Sequence, residues 1–469
     1  LFRGKVNLVG DGADSGLVLA NISSCTISNV VARGFAYAGF VLGGDSHLLT
    51  GSVSGLDNSS HADGNQIGVV VNGPGNEVGG STSGLRNVIS GNTSTGVLVR
   101  DTYSDDNRII GNYIGTDISG AEARANGEFG VFVTDASVTR VGTALTGEGN
   151  VIVGGTGTAV EMEDTVGLGD TGSYVLHNLI GVAADGTTQL GNLAGVRVDT
   201  MAGVTIGGPT AAARNVIAGS QAEGVDLERL ASGIVVTGNY IGVDAAGTTA
   251  LGNDIGIAVD RGGAGITIGG AGAGDGNVIS GNRVGVHVMI AGTPPDGTAI
   301  LSNRIGTDAG GTTAVGNTQY GVIIDSGTDA VVGESGAGNV ISGNGTALTM
   351  PGGSGTSIGY NLIGVGADGT TAVGNGTGLS LTGDLVTDTT ISWNTIAHSS
   401  TGNAIEVLAD GPTTIAANSI FDNAGLGIDL GFNGVTANDS GDGDSGPNGY
   451  QNFPVITAAN PDGGSVTAS

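Results

Sequence analysis

A single cysteine, Cys25, stands among 469 residues. A disulfide scaffold within the chain and a cysteine-based zinc site are both excluded. Proline is scarce, at 9 residues, and aromatics make up only 4%. Collagen is excluded by the low proline, and a sugar site built from many aromatic platforms is disfavoured. The five histidines show no H-E-x-x-H or other metal-ligand spacing. Positive charge is short as well: 14 basic residues face 43 acidic ones, for a net charge of −29. Such a polyanion is a poor partner for nucleic acid or an anionic membrane. It would also repel acidic polysaccharides unless a divalent cation bridged them. No run of 18 apolar residues is present to span a bilayer as a helix. Sustained 3.6-residue periodicity is missing, as are a P-loop and a Gly-x-Ser-x-Gly elbow.

What the chain has in excess is glycine, 94 residues, together with 39% apolar residues. The glycines flank Val/Ile pairs at fixed positions, so they read as turn residues in an ordered protein. A phrase keeps returning: Asn-x-Ile-Gly-x-Asp-x-x-Gly-Thr-Thr-Ala-x-Gly-Asn, at 239–253 and 303–317 and with drift from Asn112, Asn178 and Asn361. A second phrase, Asn-Val-Ile-Ser-Gly-Asn in its fullest form, alternates with it from Asn87, Asn150, Asn215, Asn277 and Asn339. The period is near 63 residues. Fixed-period self-similarity means a solenoid, which lengthens by stacking rather than by adding cores.

Each period parses into a short and a long coil of three short strands. In 87–111 the strands hold Val88-Ile89, Val97-Leu98-Val99 and Ile109-Ile110. Long coils carry an insert between the first and second strand. About fourteen coils are expected between residues 6 and 431, forming a right-handed parallel β-helix. At ~4.8 Å per coil the rod is roughly 65 Å long. Val97, Val131, Val160, Val196, Val225, Ile257, Val286 and Val322 should form one buried ladder. The Asn opening each coil should stack at a turn. Residues 1–5 offer no obvious cap. The expected organisation is a β-helix over 1–431, an acidic closing loop and cap over 432–456, and the start of a linker or following domain over 457–469.

With these coils in view, the chain resembles the right-handed parallel β-helix proteins of the pectate-lyase-like superfamily. Within it, the phrase Asn-x-Ile-Gly-Thr-Asp-x-x-Gly-Thr is similar to repeats of large secreted bacterial surface proteins. The stretch from Gly425-Leu426-Gly427 to Phe453-Pro454 resembles the usual end of such arrays. The superfamily contains lyases, glycoside hydrolases, epimerases, adhesins and passive stalks, so the resemblance implies a fold and leaves the activity open. The Asp-Pro-His triplet of the epimerase-type members is absent.

Alternation along each second strand places side chains in outward files. One file runs Val70, Leu98, Phe132, Glu161, Arg197, Asp226, Ala258, His287, Ile323, Thr349, Ser380 and Glu406. The next contains Glu163, Asp199, Glu228 and Asp260 on four consecutive coils, with Asp325 further on. Neighbours in a file are ~5 Å apart, where like charges destabilise a sheet. Relief is available from Arg197, Arg229 and Arg261, from a cation, or from raised pKa values. Three readings compete: a solvated acidic face, a cation site, and catalytic acids drawn from Glu161, Glu163, Asp199, Asp226, Glu228 and Asp260, with Asp199 and Glu228 as the central pair at the retaining-glycosidase spacing. Phe132 and His287 join the arginines as candidate binding residues. The insert aspartates, Asp57, Asp117, Asp244 and Asp308, with Asp185 and Asp368 displaced by two positions, read as turn residues or as single cation ligands. Inserts on every second coil should fence one edge of the second-strand sheet and make it a groove. In the tail loop, Asn438, Asp439, Asp442 and Asp444 are the best candidates for calcium. Trp393 reads as a packing residue.

The function expected is an extracellular structural or adhesive module of a larger secreted or cell-surface bacterial protein, with a polysaccharide or cell-surface glycan along one sheet. The alternative is a polysaccharide hydrolase or lyase. Partners expected besides glycan are flanking domains of the same polypeptide and further copies of the chain.

Overall fold

The computed structural model describes residues 6–455 except 58, 168, 170, 230, 262 and 290–295, and the backbone of strands Ile456–Asn460 and Ser465–Ala468. Residues 1–5 and 461–464, at the chain's expected uncapped start and following segment, lie outside that description. Three parallel sheets run the length of the molecule, with 15 first strands, 15 second strands and 14 third strands. The fold is therefore the expected right-handed parallel β-helix of about fourteen coils: among the described residues fourteen have all three strands and a further one has two. The second strands are the longest, from Ser15–Ala20 to Ile428–Leu430. First strands in the regular coils are two-residue pieces such as Val88–Ile89 and Tyr113–Ile114.

Pieces this short cannot stand alone, and stacking supplies their stability. Val97 pairs with Val131, Val131 with Val160 and Val160 with Val196. The file continues through Val225, Ile257 and Val286 to Val322, and all eight side chains are fully buried. The sheets pack around this ladder and its counterparts, such as Ile109–Val141–Val175–Ile206. Glycine at the second position of these strands is needed for clearance: a Cβ on Gly96 would lie 2.5 Å from the Gly130 carbonyl oxygen.

Two internal files of asparagine line the corners on either side of the first strands. In one, Asn277 donates from its backbone N–H and from Nδ2 to Asn303 Oδ1 at 3.0 and 2.9 Å. Asn303 does the same to Asn339 at 2.9 and 3.1 Å. The file runs unbroken from Asn87 to Asn418. Here a turn residue serves also as a buried polar ladder, each amide satisfying backbone groups that the tight corner leaves over. The second file joins Asn65, Asn92 and Asn126, then resumes from Asn253 to Asn375. Between those stretches it is interrupted at Gly154 and Ser220, and later at Ser399.

The long-coil inserts are small hairpins closed by bridges such as Thr116↔Ala123, Val243↔Ala250 and Thr307↔Ala314. Their carboxylates are turn staples. Asp244 Oδ1 accepts from Thr248 and Thr249 N–H, and Asp308 Oδ1 from Thr312 and Thr313 N–H. At Asp185 the Thr187 N–H, and at Asp368 the Thr371 hydroxyl, lead the bonds that hold the carboxyl down to about 2. Successive hairpins also bond to one another, Ala245 N to Gly186 O and Ala309 N to Gly247 O. Their position differs from the expected fence. Gly120 and Gly247 sit against the rings of Tyr113 and Tyr240, outward residues of first strands. The inserts thus roof the first-strand sheet, because those large half-buried side chains offer them apolar surface to cover.

After Leu430 the chain leaves the coils, makes a single turn at Pro447–Tyr450 and ends in an antiparallel pair, Ile456–Asn460 with Ser465–Ala468. No helix among the described residues is long and apolar enough to cross a membrane.

Candidate functional site

The outer face of the second-strand sheet carries the candidate residues, in the register read from the sequence. Phe132 pairs with Glu161, Glu161 with Arg197, Arg197 with Asp226, Asp226 with Ala258 and Ala258 with His287. Beside them Glu163 pairs with Asp199 and Asp199 with Glu228. Asp260 follows, its N–H bonded to the Leu227 carbonyl oxygen of the coil before.

A solvated acidic face does not result. Glu161 is 5% exposed, Asp199 4% and Asp226 4%. In register, Glu161 lies between Phe132 and Arg197, Asp199 between Glu163 and Glu228, and Asp226 between Arg197 and Ala258. Burial then governs their protonation. It pushes the Glu161 carboxyl up to about 7, with Arg197 opposing. Burial and the repulsion of Glu223 and Glu228 push Asp226 up to about 7 as well, again against Arg197. Glu163, Asp199 and Asp260 are raised in the same direction, each chiefly by burial.

The three arginines are the relief for this crowding. Arg197 reaches Asp226 at 2.9 Å and Glu161 at 3.8 Å. Arg229 lies 3.2 Å from Asp199 and 3.7 Å from Glu228, and Arg261 lies 3.6 Å from Asp260. Asp199 and Glu228, the expected central pair, therefore share one guanidinium. The two carboxyls brought to neutrality are Glu161 and Asp226, two coils apart with Arg197 between them. Burial, absent from a register argument, moves the centre of the site. Oxygens of Glu161, Asp199 and Asp260 remain buried without a hydrogen-bond partner among the described residues.

Sequence irregularity coincides with this centre. The coils of Glu161 and Asp226 read Asn-Val-Ile-Val-Gly-Gly and Asn-Val-Ile-Ala-Gly-Ser where others read Asn-Val-Ile-Ser-Gly-Asn. The phrase departs at Val153 and Gly155 in the first and at Ala218 and Ser220 in the second, and the second asparagine file breaks in the same two coils, where the Gly154 N–H bonds to Asn192 and the Ser220 N–H to Asn253. Asn192, between them, has its Nδ2 buried without a partner among the described residues.

The flanks of the site are apolar. On one side Phe132 is half-buried over Leu98 and Val70 and stacks on Phe129 with centroids 4.6 Å apart. On the other, Ala258 lies with Ile255, Val284 and Ile323. His287 rises from that flank, its Nε2 2.6 Å from Asp325 Oδ2. Asp325 also lines a cavity of 340 Å³ with Tyr320, Thr349 and Ser380. This His–Asp pair joins the two outward files, and only the register could have suggested it. Further along, Glu406 and Asp429 pair across adjacent coils, and Asn403 Nδ2 bonds to both at 3.1 Å.

One other expectation changes, and the tail loop is bonded internally. Trp393 is 61% exposed and lies parallel to Tyr360, centroids 6.2 Å apart, so it is an open aromatic face and not a packing residue. In the tail loop Asn452 bonds to both aspartates: its N–H donates to Asp442 Oδ1 at 2.8 Å, and its Nδ2 to the Asp439 carbonyl oxygen at 3.0 Å and to Asp439 Oδ1 at 3.4 Å. Asn438 bonds to Phe453. Among the described residues no three His, Cys, Asp or Glu side chains converge as metal ligands.

No family model and no curated protein matches the chain. Solved structures do. The Azotobacter vinelandii mannuronan C-5 epimerase AlgE4 A-module matches with a TM-score of 0.43 and 15% identity over 88% of this chain and 91% of that one. The Streptococcus pneumoniae surface adhesin PfbA matches with 0.31 and 12% over 87% and 86%. The tailspike protein gp49 of the Acinetobacter baumannii bacteriophage Fri1, a capsular polysaccharide depolymerase, matches with 0.30 and 8% over 90% and 61%.

Proposed function

We propose that this chain is a stiff structural and adhesive solenoid of an extracellular bacterial protein, which holds a glycan along the outer face of its second-strand sheet. The observation that carries the reading is the buried charged centre, Glu161–Arg197–Asp226, set between apolar flanks on an otherwise repetitive sheet. Buried charges without full partners cost stability and are retained at sites of recognition or chemistry more often than elsewhere. Polar groups fixed between apolar surfaces suit a sugar ring, which presents hydroxyl edges and a C–H face. The secreted setting rests on the resemblance of the repeat phrases. The test is a glycan array followed by titration of the best ligand into the parent protein and the variants Arg197→Gln and Asp226→Asn. Affinity should fall at least tenfold in each. Unchanged binding in both would overturn the site.

A second reading, hydrolysis or elimination on a polysaccharide, is favoured by one observation: two carboxyls of a single centre are poised near pH 7, where a general acid or base works best. Product release measured on the same glycans decides it. Loss of turnover in Glu161→Gln with binding kept supports the enzyme. Binding without turnover in the parent protein leaves the adhesive reading.

A further inference from the structure

The roofed first-strand sheet contains a second feature, remote from the acidic centre. A cavity of about 420 Å³ opens between the insert hairpins at Ala184 and Ala245 and the corner loops at Gly147 and Ala211. Its charged lining is Arg86 and Arg214, with His177, and no carboxylate lines it among the described residues. A second cavity, lined by Arg108 and Arg140, also lacks a carboxylate among the described residues, but both of those arginines are ion-paired. The nearest acid in the corner loop, Glu148, is turned away, held by Arg108 at 2.7 Å and by the Thr143 hydroxyl.

Both arginines are fixed in the same manner. Arg86 Nε donates to the Gly111 carbonyl oxygen at 3.2 Å, and its guanidinium lies 4.0 Å over the Tyr113 ring. Arg214 Nε donates to the Gly238 carbonyl oxygen at 3.1 Å, and its guanidinium lies 4.0 Å over Tyr240. Neither forms an ion pair among the described residues, whereas Arg108, Arg197, Arg229 and Arg283 all do. Each thus keeps two Nη groups, oriented in advance and without a counterion. His177 adds a buried Nδ1 that has no hydrogen-bond partner among the described residues. An oriented guanidinium fork takes a carboxylate or phosphate with little ordering cost.

The two forks are four coils apart, roughly 19 Å at one strand spacing per coil. One small anion cannot reach both. We infer that this cavity binds a segment of an extended polyanion, with oxyanion groups on Arg86 and Arg214 and the intervening chain over Val151, Leu179 and Val216. The net charge of the protein opposes approach at low salt, but beyond about 8–10 Å it is screened at physiological ionic strength. Two anchored ends make the attachment bivalent, so a long ligand gains over a short one with the same groups.

The experiment titrates a short-chain polyphosphate and an oligogalacturonide of matched length into the full chain, with inorganic phosphate and acetate as single-anion probes. At least one polymer should bind saturably and at least tenfold tighter than the single anion of its type. Which polymer wins identifies phosphate or carboxylate as the group recognised. Arg86→Gln and Arg214→Gln should each weaken that binding at least tenfold, while Glu161→Gln leaves it unchanged and so separates this site from the acidic centre. Arg214→Lys, which keeps the charge and the fold but not the fork, should fall between. No saturable polymer binding, equal affinity for polymer and single anion, or full binding by a folded Arg86→Gln/Arg214→Gln double variant would overturn the inference.

Discussion

Arg197 binds Asp226 and Glu161 unequally: its Nε is 2.9 Å from Asp226 Oδ2, while its Nη1 is 3.8 Å from Glu161 Oε2. One cation thus serves two buried acids on the coils before and after its own. Burial raises both carboxyls to about 7, and the single guanidinium between them opposes that rise without cancelling it.

Removing that cation should be costly. Arg197→Met leaves Asp226 and Glu161 buried with no positive neighbour in their file. Truncating one partner of a buried ion pair typically costs about 3–5 kcal/mol. The loss should be largest at pH 8 and smaller at pH 5, where protonation neutralises the acids. Urea unfolding at both pH values checks this, and an equal loss at both would contradict it.

The pH dependence of the parent protein follows from the same pair. A carboxyl whose folded pKa is raised keeps its proton in the native state after the unfolded chain has lost it. Stability therefore falls as pH rises from about 4 through about 7, the range over which Glu161 and Asp226 titrate. At ~1.4 kcal/mol per unit the effect is of order 3 kcal/mol for each group, less where the two couple. Asp185 and Asp368, held near 2, act in the opposite sense: their contribution is present above about pH 4 and lost as pH falls toward 2. A stability maximum on the acid side, near pH 4–5, is expected. In Glu161→Gln/Asp226→Asn the fall between pH 5 and 8 should largely disappear.

The architecture was legible because its signals are local and repeated. Gly-Val-x-Val fixes which side of a strand faces in, and its recurrence fixes which residues become neighbours, so the ladder from Val97 to Val322 needed no knowledge of tertiary structure. The outward register of Glu161, Arg197 and Asp226 came the same way. Burial did not, because it depends on how neighbouring long side chains close over a file. For that reason the centre fell on Asp199–Glu228 in sequence and on Glu161–Asp226 in the fold. The inserts were misplaced for a related reason: their apolar contacts with Tyr113 and Tyr240, which decide the sheet they cover, are made across coils. The replacements at Gly155 and Ser220 were visible signals of the site, since they remove the closing asparagine of the second phrase in the two coils that carry its acids.

Calcium at the tail loop is kept as a proposal with a defined competitor. Asp439 and Asp442 already bond to Asn452, so an ion at Asn438, Asp439, Asp442 and Asp444 has to displace those donors. Affinity in the weak, roughly millimolar, range of extracellular sites is expected. Calcium should raise the melting temperature of the parent protein slightly and that of Asp439→Asn/Asp442→Asn not at all. Identical melting in calcium and in chelator would count against it.

The broken asparagine file gives the last prediction. Asn192 Oδ1 accepts the Gly154 N–H at 2.6 Å and Asn192 pairs with Ser220 of the next coil, but its buried Nδ2 has no acceptor among the described residues. In intact stretches that acceptor is the next asparagine's Oδ1, as when Asn253 Nδ2 meets Asn282 Oδ1 at 3.0 Å. Ser220→Asn should restore it. One satisfied buried donor is worth about 1 kcal/mol, provided the larger amide fits beneath Gly219 and Gln221. The opposite change in the unbroken file, Asn303→Ala, removes the acceptor of the Asn277 N–H and the donor to the Ile268 carbonyl oxygen, which is 2.9 Å away. With two backbone groups orphaned at about 1–3 kcal/mol each, a loss of roughly 3–5 kcal/mol is expected. Urea unfolding of the two variants measures both signs. A Ser220→Asn protein less stable than its parent, yet unchanged in fold, would show that the break at this coil is required by packing and is not a cost carried for the acids above it.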